Sequence, residues 1–102
     1  MIGSLVGLRI NTGEIRSVNF IHWKVDVEKS CVAVVTLRGV ECDVMILNRT
    51  NYERFRRGSS FEYRGGHYKR SPARLPLPDR GEWHVVVVPG QGGRVEATLA
   101  VI

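Results

Sequence analysis

Few side chains in this 102-residue chain could do chemistry: His22, His67 and His84, Cys31 and Cys42, and the stretch Glu62 to Pro72, EYRGGHYKRSP. That stretch packs two tyrosines, a histidine and three cations around a glycine pair. A zinc-hydrolase helix needs two histidines four apart with a glutamate between, and a thiolate metal site needs closely spaced cysteines, so that the ligands converge. Neither spacing occurs. The serines of RGSSFEY lack the G-x-S-x-G turn that would expose a nucleophile. The glycine pair carries neither a P-loop nor a dinucleotide signature, so a turn role outweighs a phosphate cradle. Cys31 and Cys42 sit in apolar, strand-like sequence and read as buried free thiols. His22 adjoins Trp23 and His84 adjoins Trp83, which puts each imidazole on the opposite strand face from its indole. Both histidines are therefore expected on an outer face or edge rather than as a ligand pair. These residues argue against an enzyme, and no metal or cofactor is expected.

Binding chemistry is better supported. From Arg54 to Arg80 lie eight cations and two acids, a net of +6, whereas the remainder of the chain is close to neutral. The formal charge of +5 therefore arises in one contiguous quarter of the sequence. Seven of the eight cations are arginine, whose planar guanidinium suits phosphate, carboxylate and aromatic partners. Tyr52, Phe55, Phe61, Tyr63 and Tyr68 are interleaved with or beside them, a pattern shared with single-strand nucleic-acid platforms. The candidate ligand-binding residues are Arg64, Gly65, Gly66, His67, Lys69, Arg70 and Arg74, and a secondary basic and aromatic patch comprises Tyr52, Arg54, Arg56 and Arg57. The arginines are expected to converge on one flank of the folded molecule. The partners this predicts are an anionic ligand or an acidic protein; the alternative is a protein–protein adaptor or self-associating module, such as a homodimer, that uses a sheet edge, and single-stranded nucleic acid is a further reading.

The elements that must position these groups are almost all strands. In FIHWKVDV, Ile21, Trp23, Val25 and Val27 alternate with His22, Lys24 and Asp26, the period of a half-buried strand with Trp23 inside. CVAVVTLRGVECDVMIL places two β-branched runs about Gly39 and predicts a hairpin of Val32–Arg38 with Asp43–Leu47. The valines of EWHVVVVP suit a strand covered on both faces and ended by Pro89. RVEATLAVI alternates Val95, Ala97, Leu99 and Val101 against Arg94, Glu96 and Thr98, and follows the GQGG turn at 90–93. NRTNYERFRRG predicts a short helical turn near 49–57, with Tyr52 and Phe55 on one side and Gly58 as its stop. With Gly65-Gly66 at the centre of a tight hairpin, Arg64 would oppose His67 and Tyr63 would oppose Tyr68. Phe61, Tyr63, Tyr68 and Arg70 would then share one face, and Glu62, Arg64, His67 and Lys69 the other. Pro72, Pro76 and Pro78 predict that RSPARLPLP lies at a sheet edge, where a missing N–H faces solvent.

From about Asn19 onward, NFIHW, NYERFRRG, YRGGHYKRSPARLPLP, GEWHVVV and GGRVEATLAVI resemble, in this order, the bacterial domain-of-unknown-function 1883 family. The most specific block is YxGGHxxRSPxRLxxP. The resemblance implies a small all-β sandwich, found alone or beside other modules such as Toll/interleukin-receptor-like domains, with no activity assigned. It also implies that Gly65, Gly66, His67, Arg70, Ser71, Pro72 and Arg74 belong to a shared motif.

The expected architecture is all-β, a two-sheet antiparallel sandwich with one short helical turn, favoured over a closed barrel. Residues 19–102 form its single domain, and 1–18 an N-terminal extension with strand character in SLVGLRI. No apolar run approaches the ~20 residues of a membrane span. The start lacks a basic n-region and meets Arg9 early, so it does not read as a signal peptide, and a cytoplasmic location is expected.

Overall fold

The computed structural model describes residues 6–8, 20–90 and 93–102. Eight strands and one helix follow one another as β1 (Val6–Leu8), β2 (Phe20–Val27), β3 (Cys31–Gly39), β4 (Cys42–Leu47), α1 (Arg49–Arg57), β5 (Arg64–Tyr68), β6 (Ala73–Leu77), β7 (Gly81–Pro89) and β8 (Val95–Val101). They build a five-stranded sheet, in the order β1-β2-β7-β4-β5, and a three-stranded sheet, in the order β6-β3-β8. Every pairing is antiparallel. This is the expected two-sheet sandwich with a single short helix. Of the extension, 6–8 pair with β2 as an edge strand, and the rest of 1–18 lies outside the described residues, as do Gln91 and Gly92 of the GQGG turn.

Alternation along the strands fixes which side chains meet. Trp23, Val25, Val35, Val44, Ile46, Leu75, Val85 and Val87 fill the space between the sheets, with Trp23 only 3% exposed. The other face of the larger sheet is also covered. Met45, Leu47 and Val86 pack there beneath Tyr52 of α1, joined by Phe20, Phe55, Phe61 and Val88. β7 lies between β2 and β4 with both faces buried, which accounts for its unbroken valines.

The helix begins and ends where local chemistry dictates. The side chain of Asn48 accepts from Asn51 N, and Gly58 closes the last turn at φ 78. Three basic residues, Arg54, Arg56 and Arg57, occupy that last turn, favourably placed against the negative end of the helix dipole.

Two expected hairpins are absent. β3 and β4 do not pair, because the chain changes sheets at the corner after Gly39. Val40 N donates to Arg94 O at the start of β8, while Glu41 O accepts from Gly90 N at the end of β7. Consecutive residues are thus bonded to different sheets. Nor is Gly65-Gly66 a turn. It lies inside β5, opposite Met45 and Val44, and only Gly65 has positive φ, at +133. Tyr68 therefore opposes Cys42 rather than Tyr63, and the predicted division of Phe61–Arg70 into two faces does not hold. The reversal comes later, between β5 and β6, where the Ser71-Pro72 peptide is cis.

β6 is an edge strand, as its prolines predict. Val32 exchanges both backbone hydrogen bonds with Ile102, so the opposite residue, Pro76, needs no donor toward β3.

Candidate functional site

The predicted ligand residues divide among three environments. Arg64 on β5, Lys69 and Arg70 in the following turn, and Arg74 on β6 are all exposed. β5 ends the larger sheet, β6 ends the smaller one and the two strands touch, so the four residues are spread along the β5–β6 edge of the sandwich, Arg64 at the end near α1 and Lys69, Arg70 and Arg74 around the β5–β6 connection. Among the described residues, none of the four is paired with a carboxylate; the ion pairs of arginine are Arg38 with Glu96 and Arg56 with Glu53.

His67, Gly65 and Gly66 have other tasks. The His67 ring meets Asp43 Oδ1 through Nδ1 at 2.8 Å and Glu41 Oε1 through Nε2 at 2.6 Å. A carboxylate can only accept, so both ring nitrogens donate and the imidazolium is favoured. The bond to Glu41, then that to Asp43, raises the His67 pKa, and the same bond holds the Glu41 carboxyl below its ordinary value. His67 is thus already neutralised by two acids and does not add to a free cationic surface. Gly65 is demanded by space and backbone together: a Cβ there would strike the carbonyl oxygen of Val44. Ser71 also has a structural partner, its Oγ accepting from Leu37 N at 2.8 Å just beyond the last β3–β6 register pair, Val35 with Ala73. Of the residues of the implied motif, Gly65, His67 and Ser71 thus have structural partners at the join of two sheet edges, and Arg70 and Arg74 are exposed to solvent.

The secondary patch is not contiguous with that flank in role or composition. Arg54, Arg56 and Arg57 are exposed on α1, over the outer face of the larger sheet, so the central arginines occupy two surfaces instead of one. Tyr52 is 8% exposed and belongs to the apolar cluster under the helix, so it is corrected from a surface aromatic to a core residue. Arg56 lies over its ring at 5.9 Å from the centroid and bonds Glu53 at 3.3 Å.

A constellation that sequence reasoning set aside lies directly beneath. β2 and β7 pair so that Trp23 opposes Val85 and Lys24 opposes His84, which brings His22 and His84 diagonally together on the face away from the tryptophans. That face is the expected outer one, but α1 covers it, and His84 is only 5% exposed. His22 Nε2 lies 2.8 Å from His84 Nδ1, His84 Nε2 lies 2.7 Å from Glu82 Oε2, and Tyr52 Oη lies 3.1 Å from His22 Nδ1. The three rings also stack, Tyr52 on His84 at 4.4 Å and on His22 at 4.1 Å. With Glu82 ionised and both imidazoles neutral, one proton arrangement satisfies every atom: Tyr52 donates to His22, His22 to His84, and His84 to Glu82. Burial, then the neighbouring His84, then Arg56 push the His22 pKa down to about 4. Burial raises that of Tyr52, and the His84 bond lowers that of Glu82. The available signal was the mirrored pair HW and WH, which an antiparallel ladder turns to one face; the register that makes the rings touch was not legible.

The two thiols both donate to backbone carbonyls. Cys42 is buried, its pKa raised first by burial and then by Asp43, and Cys31 is half-buried with its thiol donating to Lys29 O. A shallow groove of about 250 Å³ lies between the start of α1 and β5, lined by Asn48, Asn51, Glu62, Tyr63, Arg64 and Trp83 among others. Tyr63, 50% exposed, is the one aromatic ring of the central segment that faces solvent to this degree.

Among the described residues no helix is long and apolar enough to cross a membrane. No curated protein and no solved structure gives a significant match to the chain. The family described as "Domain of unknown function (DUF1883)" matches residues 18–101, the span that carries β2 to β8, the helix and the corner motif. The chain therefore belongs to the DUF1883 family.

Proposed function

We propose that this domain is a non-catalytic binding module whose open β5–β6 flank engages an anionic ligand or an acidic partner. The observation that carries the reading is the grouping of exposed Arg64, Lys69, Arg70 and Arg74 along two adjoining sheet edges, without carboxylate partners among the described residues. Guanidinium groups on a rigid edge offer planar, bidentate recognition of carboxylate or phosphate at little cost in side-chain order. The histidines do not compete with this reading, because His22 and His84 are bonded to one another under α1 and His67 is held between two acids.

Fluorescence anisotropy with labelled polyglutamate and a labelled single-stranded oligonucleotide, each at two ionic strengths, tests the proposal. Binding weakens with salt, for the oligonucleotide with a log-log slope of about −0.7 per phosphate neutralised. Replacing Arg64, Lys69 and Arg70 together with serine abolishes binding and leaves the melting temperature unchanged, whereas Arg54→Ser with Arg57→Ser on the helix has little effect. Binding that ignores salt and survives the triple change would overturn the reading. Tyr63 beside Arg64 favours a second reading, in which a base stacks on the exposed ring; a marked preference for the oligonucleotide, lost in Tyr63→Ala, distinguishes it.

A further inference from the structure

The covered histidine pair is not used by the proposed binding flank, yet it belongs to a chain of four polar side chains joined by three hydrogen bonds, and it sits where α1 meets the larger sheet. Its proton count is constrained by geometry. At 2.8 Å, the space between His22 Nε2 and His84 Nδ1 holds one proton. The neutral pair already places one there. A first added proton is accommodated: His22 becomes doubly protonated once the Tyr52 hydroxyl turns from donor to acceptor, or the chain reverses its direction and His84 carries the charge against Glu82. A second added proton would set two N–H groups head to head and two positive rings in contact, which only separation of the rings relieves.

We propose that the Tyr52–His22–His84–Glu82 chain is a proton-operated latch that holds α1 on the sheet near neutral pH and releases it on acidification. Tyr52 is the helix's contribution to the chain, so separating the rings acts directly on the α1 contact. Release uncovers the apolar surface formed by Met45, Leu47 and Val86 and moves Phe55 off Phe20 and Phe61.

The charges around the chain come from three elements. On the helix, Arg56 lies over the Tyr52 ring and opposes a charge on His22, Glu53 lies beside it, and Arg49 faces Glu82. On β2, Lys24 also faces Glu82 and Asp26 opposes it in the ladder, and on β7 Glu82 is hydrogen-bonded to His84 at 2.7 Å. The near set thus holds three cations and three acids. The low His22 pKa agrees with a site that resists protonation until the medium is distinctly acidic.

Hydrogen–deuterium exchange across pH 7 to pH 4, corrected for intrinsic exchange, reads the latch on the whole chain. The expected result is a loss of protection of ~10-fold or more in residues 49–57 while β3 and β8, which are remote from the latch, keep theirs. His22→Gln removes the response. Should that variant fold poorly, Glu82→Gln serves instead: it keeps an acceptor for His84 but removes the charge that supports protonation, so release moves to lower pH. His67→Gln leaves the helix response intact and separates it from the exposed Glu41–His67–Asp43 clamp. Simultaneous loss of protection in α1, β3 and β8, or an unchanged helix response in His22→Gln, would overturn the proposal. Neither result depends on whether the β5–β6 flank binds anions.

Discussion

At the scale of single residues, Gly65 separates two reasons for glycine that sequence alone confuses. A glycine pair between aromatic residues fits a tight hairpin, where both positions want positive φ. In the folded chain only Gly65 has it, and what excludes a side chain there is the neighbouring strand's carbonyl at Val44. Gly58, by contrast, has positive φ with open space around it. Gly65→Ala should therefore cost about 2–4 kcal/mol, combining backbone strain with a displaced ladder carbonyl, and Gly58→Ala only about 1 kcal/mol. Urea denaturation of the two variants checks the order; equal losses would mean that crowding at Val44 is relieved by a shift of β5. Pro76 makes a similar point. Its tolerance was readable from sequence as an edge signature, and the Val32–Ile102 bonds explain why that particular position costs the ladder nothing.

At the scale of elements, what was locally encoded was read correctly. The bounds of α1 follow from Asn48, whose side chain caps Asn51 N at 2.9 Å, and from Gly58, and both signals act within one turn. Asn48→Ala should lower stability by about 1 kcal/mol, measured by chemical denaturation, because one of the orphan amides of the first turn loses its acceptor. The outcome bears on the latch as well, since the same helix carries Tyr52. Strand identities were legible for the same reason: the period-2 alternation of β2 and β8, and the continuous valines of β7, depend on which faces are buried. Pairings were not. Two β-branched runs around Gly39 satisfy a hairpin as well as a sheet-changing corner, and only the bonds of Val40 to β8 and Glu41 to β7 choose between them.

At the scale of the whole molecule, ionisable groups in three places set the response to pH. A histidine whose folded pKa is depressed takes its proton first in the unfolded chain. Stability from neutral His22 is thus complete above the ordinary value of 6.5, falls as pH drops toward about 4, and changes no further below. Discounted for its partial exposure, this amounts to something on the order of 2 kcal/mol. Glu82 and Glu41, held below their ordinary values, contribute above that range and lose their contribution as pH falls through the depressed pKa. His67 runs the other way: its raised pKa gives stability that is complete below 6.5 and disappears as pH rises through the folded value. The clamp is solvent-exposed, so its alkaline limb is shallow. Urea midpoints against pH should peak near neutrality, with a steeper decline toward pH 4 than toward pH 9, and His67→Gln should flatten the alkaline side and remove the Glu41 share of the acid side. A profile steeper on the alkaline side would assign the dominant titration to His67 instead of the buried chain.

The same division of scales accounts for what could be read before the fold was known. Alternating Ile21, Trp23, Val25 and Val27, the cap and stop of α1, the prolines of β6 and the +6 segment determined the class of fold, the helix, the edge position of β6 and where along the chain the positive charge lies, because each acts through neighbours a few residues away. Tertiary structure alone decided that the arginines separate into a helix group and a flank group, that His67 falls between Glu41 and Asp43, and that His22 and His84, 62 residues apart, share one proton's space. Strand register and sheet membership make those neighbours. They are selected by the burial of the whole set of strands at once, so no single segment carries the information.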